Sequence, residues 1–213
     1  LGDWVLPFEA DNTYDDTFNA PSGSVTASFM HSEWTIPYYK NRDFSMISLE
    51  FKSGEGEGQY AMALLLPAQG TDVSDMLASL DGEGFAGALA KLTDQLTDIA
   101  LPKFEYLFSA KLREMLTAMG MTVAFDPVAA DFSGLTDEEN DVFIFEVLHK
   151  CYIRVDELGA EAAAVTGVIA PASAAITKRP KVFNADRPFL FAIYSMEDGT
   201  IAFMGVVNDP TQE

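Results

Sequence analysis

The chain has 213 residues, 48% of them apolar and 16 of them phenylalanine, enough to bury a sizeable core and to exclude global disorder. Its 33 acidic residues against 13 basic ones leave a net charge of −20, which repels nucleic-acid phosphates and anionic lipid and favours cationic partners, so no nucleic acid and no membrane is expected as a partner. A single cysteine, Cys151, excludes an internal disulfide, and no run reaches the ~18 consecutive apolar residues of a membrane span.

In chain order, FSMISLEF (Phe44 to Phe51) and YAMALLLP (Tyr60 to Pro67) predict two strands. The glycine-rich KSGEGEGQ between them predicts a hairpin, with its GEGEG acids in a solvated turn. DVSDMLASL and EGFAGALAKL have helical spacing, with breaks expected at Gly82 and Gly84. QLTDIALPKFEYLF reads as extended and leads into SAKLREMLTAMG, where Leu112, Met115, Leu116 and Met119 share one helix face. Ser109 is the candidate cap there and Gly120 the stop. DVFIFEVLHKCYIRV (Asp141 to Val155) predicts the longest strand. FLFAIYSMEDGTIAFMGVV predicts a second hairpin around Asp198-Gly199. The class is α+β, a single domain over 1–213, with largely antiparallel sheets and some helices.

DELGAEAAAVTGVIAPASAAITKRPK, Asp156 to Lys181, is unlike the rest. From Ala162 to Thr177 it carries no charge, and it is built of small residues. Gly167 and Pro171 stop a long helix. Read with a period of two, Ala160, Ala162, Ala164, Thr166 and Val168 share one small, uncharged face. Glu161, Ala163, Val165 and Gly167 share the other. A strand with small side chains fits this pattern, as does a flexible linker, which composition alone favours. APASAAIT looks like an exposed, protease-accessible loop.

The surroundings add a family resemblance. VLHKCYIRVDELGAEAAAVTG, followed by VFNADRPFLFAIYSMEDGTIAFMGVVNDP, closely resembles the carboxy-terminal part of a serpin. LGDWVLPF, IALPKFEYLFSAKLREMLTAMGMTVAF and ADFSGL resemble further serpin blocks in the same order, so the resemblance covers essentially the whole chain. It implies the carboxy-terminal portion of a serpin fold, with the amino-terminal half absent. It also implies a serine protease inhibitor that acts as a suicide substrate: an exposed loop (about 159–178) is cleaved, then inserts as an extra strand into the main sheet. Insertion of this loop is a case of strand addition to a sheet.

On that reading Glu157, Gly159, Ala160, Glu161, Ala162, Ala163, Ala164 and Thr166 form the hinge, with Gly159 permitting the backbone swing. Ala160 and Val165 depart from the usual family residues without adding bulk or charge. Counting along the loop from Gly159 places the scissile bond at Ser173–Ala174; counting back from Phe183 places it one residue later. The small residues there suit the shallow pocket of an elastase-like or subtilisin-like serine protease. The resemblance also assigns Trp4 to the top of the main sheet and His149 to the shutter, where it bonds across the sheet.

His149 and Cys151 lie two apart and could in principle form a nucleophilic pair, but no orienting acid is evident, so an enzyme is not expected. With two histidines and no ligand spacing, no metal and no cofactor is expected. The other partner expected is the missing amino-terminal half. The chain begins at Leu1 and not at methionine, which suggests an upstream segment was removed, and a secreted, extracellular protein is the expectation. The alternative function is a non-inhibitory binding or carrier protein, or an inactive fragment.

Overall fold

A computed structural model describes residues 2–54, 59–135, 142–160 and 179–212. They group into two units, Leu1–Glu105 with Arg154–Glu213, and Tyr106–Ile153.

The larger unit is organised by one sheet. Its strands are β1 (Thr13–Ala20), β2 (Gly23–Lys40), β3 (Phe44–Glu50), β4 (Tyr60–Pro67), β5 (Thr93–Pro102), β8 (Lys181–Asn184), β9 (Phe189–Ser195) and β10 (Ile201–Val207). Their order is β10-β9-β4-β3-β2-β5-β8, with β1 folded back on β2. Every neighbouring pair is antiparallel except β5–β8. Both expected hairpins are present: β3–β4 pairs Phe44 with Pro67, and β9–β10 turns at Gly199, whose φ of 76° suits a residue without a Cβ.

The strands β3, β4 and β9 are apolar on both faces because each face is covered. Phe44, Met46, Ala63, Leu65, Leu190 and Tyr194 pack with two short helices, α1 (Val73–Ser79) and α2 (Gly82–Leu89). The alternate residues Ile47, Met62, Leu64 and Ile193 point the other way and are equally buried. On that side the Phe104 ring lies 6.0 Å from Phe189 and 5.6 Å from Phe191.

Several expectations change. Gly82 and Gly84 do not break a helix; they lie in the first turn of α2, where Asp81 accepts a hydrogen bond from the Gly84 N–H. The break falls just before, at Leu80 and Asp81. The longest strand is β2, from Gly23 to Lys40, which charged and polar residues on its outer face concealed. The DVFIFEVLHKCYIRV strand is shorter than expected: β7 runs Leu148–Val155, and residues 142–147 are not strand.

β7 pairs with β6 (Phe104–Lys111) in a two-stranded sheet. Ser109 lies inside β6, so it caps nothing. The helix α3 (Arg113–Ala118) starts after Leu112 with no side-chain cap and stops at Gly120, where φ is 103°. The expected apolar face of α3 is there but bare: α3 buries none of its residues, and Met119 just beyond it is 78% exposed. Arg113 organises this smaller unit, donating to Phe145 O at 2.9 Å. Among the described residues no helix is long and apolar enough to cross a membrane.

Candidate functional site

On either side of the small-residue segment the described residues stop at Ala160 and resume at Arg179. Glu161, Ala162, Ala163, Ala164, Thr166, Ser173 and Ala174 lie outside the described residues. Glu157, Gly159, Ala160 and Trp4 lie within them, and the fold brings these four together.

β7 ends at Val155 because Asp156 starts a tight reversal. Its carboxylate accepts from the Leu158 N–H at 3.0 Å, and its own N–H donates to Gly159 O at 3.1 Å. Arg154 is 3.2 Å from the same carboxylate group. The reversal lays Ala160 back beside Val155 as an isolated bridge, with both residues buried at 2% and 1% exposure.

A second segment holds this reversal from the side. The Trp4 N–H donates to Leu158 O at 2.8 Å and the Phe8 N–H donates to Glu157 O at 2.9 Å. The Trp4 indole donates to Asp156 O at 3.0 Å. Trp4 itself is 1% exposed and stacks on Phe51 with ring centroids 4.6 Å apart. Asp3 pairs with Gly159 across an antiparallel bridge.

Gly159 has a steric reason to be glycine. A Cβ built there would lie 2.5 Å from Gly2 O and 2.8 Å from Asp3 Cα, both backbone atoms that cannot yield cheaply. The close approach of two backbones therefore requires it, beside any role in a swing.

Glu157 is the charged member. Lys103 Nζ donates to its two carboxylate oxygens at 3.0 and 2.9 Å, and the glutamate side chain is only 16% exposed. Burial pushes its pKa up, but hydrogen bonds from Lys103, the backbone and Thr13, with the charge of Lys103, together outweigh that and hold the carboxyl below its ordinary value. Lys103, Phe8, Phe51 and Asp156 were not singled out as site residues, although Phe8, Lys103 and Asp156 stand in the serpin-like motifs. A lone lysine inside the apolar IALPKF was the one available signal for Lys103.

The return end of the loop is anchored in the same unit. β8 runs parallel to β5, with Phe183 and Ala185 fully buried, and the Ala185 N–H donates to Ala100 O at 2.9 Å. Arg187 then ties to Asp186 at 2.7 Å and donates to Pro67 O at 2.6 Å.

His149 and Cys151 belong to the smaller unit. They share one face of β7, with His149 Nε2 2.9 Å from Cys151 Sγ and the Phe108 ring edge-on to the imidazole. The histidine thus bonds within its own strand. Among the described residues no group of three or more His, Cys, Asp or Glu side chains could hold a metal ion.

Comparison with known proteins identifies the family and the fold. The family profile described as "Serpin (serine protease inhibitor)" matches residues 1–210. An uncharacterized serpin-like protein of Thermococcus kodakarensis is 39% identical over 97% of this chain and 47% of its own length. The leukocyte elastase inhibitor of Xenopus laevis is 33% identical over 98% of this chain and 55% of its own. The crystal structure of the thermophilic serpin tengpin in its native state superposes with a TM-score of 0.82, at 32% identity, over 97% of this chain and 52% of that one. The chain thus spans about half the length of the relatives it matches.

Proposed function

The chain belongs to the serpin family, a family of inhibitors rather than enzymes, and on that premise we propose that it is the carboxy-terminal portion of a suicide-substrate inhibitor of serine proteases. The protease serine attacks the carbonyl of Ser173, an ester to the enzyme forms, and the amine of Ala174 leaves. The severed hinge then adds as a strand beside β7, carrying the acyl-enzyme with it and distorting the protease active site. The small residues around Ser173 point to an elastase-like or subtilisin-like target.

The observation that carries this reading is the root of the loop. Residues 156–160 are reversed and held by a short set of bonds, from Trp4, Phe8 and Lys103. The reversal turns the chain back alongside β7, and the antiparallel bridge of Val155 to Ala160 is the first rung from which a freed hinge would extend as the added strand. In the two-stranded sheet the β7 edge away from β6 carries, among the described residues, only the bridge of Val155 to Ala160. That edge is where the proposed strand would add.

The mechanism needs the other strands of the main sheet, which the preceding half of a full-length serpin would supply. In the Tyr106–Ile153 unit Leu107, Phe108, Met115, Phe145 and Leu148 are exposed, an apolar surface that calls for such a cover.

The test is a denaturing gel of the full-length protein mixed with an elastase-type protease. The expected result is a band at the summed mass that survives boiling in detergent. A clean cut near Ser173 with the protease still active would overturn inhibition and leave a binding or carrier role.

A further inference from the structure

Residues 155–160 are the start of a β-hairpin. Val155 and Ala160 form an antiparallel bridge, and the Asp156 N–H donates to Gly159 O at 3.1 Å, which leaves Glu157 and Leu158 as the two residues of the turn. A two-residue turn favours glycine, asparagine or aspartate at its centre, and neither Glu157 nor Leu158 is one of these. The apex therefore does not hold itself, and its neighbours have to.

Trp4 and Phe8 take carbonyl oxygens of the turn: Leu158 O at 2.8 Å, Glu157 O at 2.9 Å and, through the indole, Asp156 O at 3.0 Å. The Leu158 N–H goes instead to Asp156 Oδ1, at 3.0 Å in a part-buried bond. The other carboxylate oxygen, Oδ2, lies 3.2 Å from Arg154, whose side chain is 52% exposed against 13% for Asp156. An ion pair that open contributes little, so the acceptor at Oδ1 is what the turn needs from this residue.

Resting on the inhibitory reading above, we propose that Asp156 is a positioning residue for loop insertion. Its Oδ1 keeps closed the turn about which the cut loop folds back alongside β7, and it thereby sets how fast the loop inserts. The acyl-enzyme has two fates: insertion, which traps the protease, and attack by water, which releases it. Asp156 touches neither the ester nor the water and acts through the competition between them. With the turn closed and its first rung made, each further hinge residue adds beside one already paired. With the turn open, residues 156–160 must be ordered first, and the loss of their backbone freedom opposes the step. Insertion is then slower, and hydrolysis releases more protease.

The full-length protein is compared with Asp156→Ala and Asp156→Asn. Thermolysin, a zinc protease, cuts the loop without forming an acyl-enzyme, and at saturating thermolysin the observed rate levels off at the insertion step. Samples quenched with chelator are run on urea gels, where an inserted loop shows as a gain of resistance to unfolding. Asp156→Ala should insert about tenfold more slowly than wild type. Against an elastase-type protease it should also consume more inhibitor per protease trapped. Asp156→Asn should stay within about twofold of wild type on both readouts, since its amide oxygen still accepts from the Leu158 N–H. A residue that stabilised the fold only through its charge would give Asn and Ala the same result. That result, or an Asp156→Ala rate equal to wild type, overturns the proposal. Wild-type insertion with no trapped protease would sink inhibition alone, because the ratio of the variant rates still judges Asp156. A cut wild type that gains no urea resistance would overturn both.

Discussion

At the scale of single residues, Gly159 and Glu157 carry the sharpest consequences. A methyl group at 159 would meet the Gly2 carbonyl at 2.5 Å, so Gly159→Ala must push two backbones apart. It should cost about 2 kcal/mol, in the usual range for overpacking, read as a lowered urea midpoint. Lys103→Ala leaves Glu157 part-buried without its partner and should cost about 1–2 kcal/mol. The Glu157 pKa is lowered in the folded state, so the sign follows: the pair's contribution is complete above the ordinary glutamate range and is lost as pH falls through the depressed value. Wild type should therefore lose stability on acidification in that range, and Lys103→Ala should lose less of it; denaturant midpoints at a series of pH values check this. Of these residues Gly159, Glu157 and Trp4 were legible in the chain through the serpin-like motifs. Lys103 stands in the serpin-like block IALPKF, but its pairing with Glu157 was not legible, because 54 residues separate the two.

At the scale of elements, the hinge makes the clearest test. If the face of Ala160, Ala162, Ala164 and Thr166 is the one buried on insertion, Ala164→Arg buries an unpaired charge and Ala163→Arg does not. The first should turn inhibitor into substrate, with at least tenfold less stable complex on a gel; the second should stay close to wild type. Equal damage from both would sink the period-two reading. Ala160 itself sits at 2% exposure against Val155, so small size is already used at the start of that face. Elements with simple signals were legible: the two hairpins have glycine-rich or Asp-Gly turns between apolar runs. Helix starts were less so. Asp81 caps α2 through Gly84, so two glycines that read as breakers stand inside a capped first turn. Ser109 failed as a cap because the strand pairing of β6 outweighs a single serine's preference.

At the scale of the whole molecule, the proposed inhibition makes a prediction about encounter. The −20 carried by this chain should make association with a cationic protease fast at low ionic strength and slow it severalfold between about 20 mM and 500 mM salt. Stopped-flow association rates would show it, and a salt-independent rate would remove steering from the account. What the sequence determined by itself is the family, the order of its motifs and the small-residue character of the loop, because these depend on local residue type and spacing. The bonds from Trp4 and Phe8 to the reversal and the Lys103–Glu157 pair were decided only by the tertiary structure. Each depends on segments tens of residues apart in the chain or more, and sheet order, not periodicity, sets which of them meet.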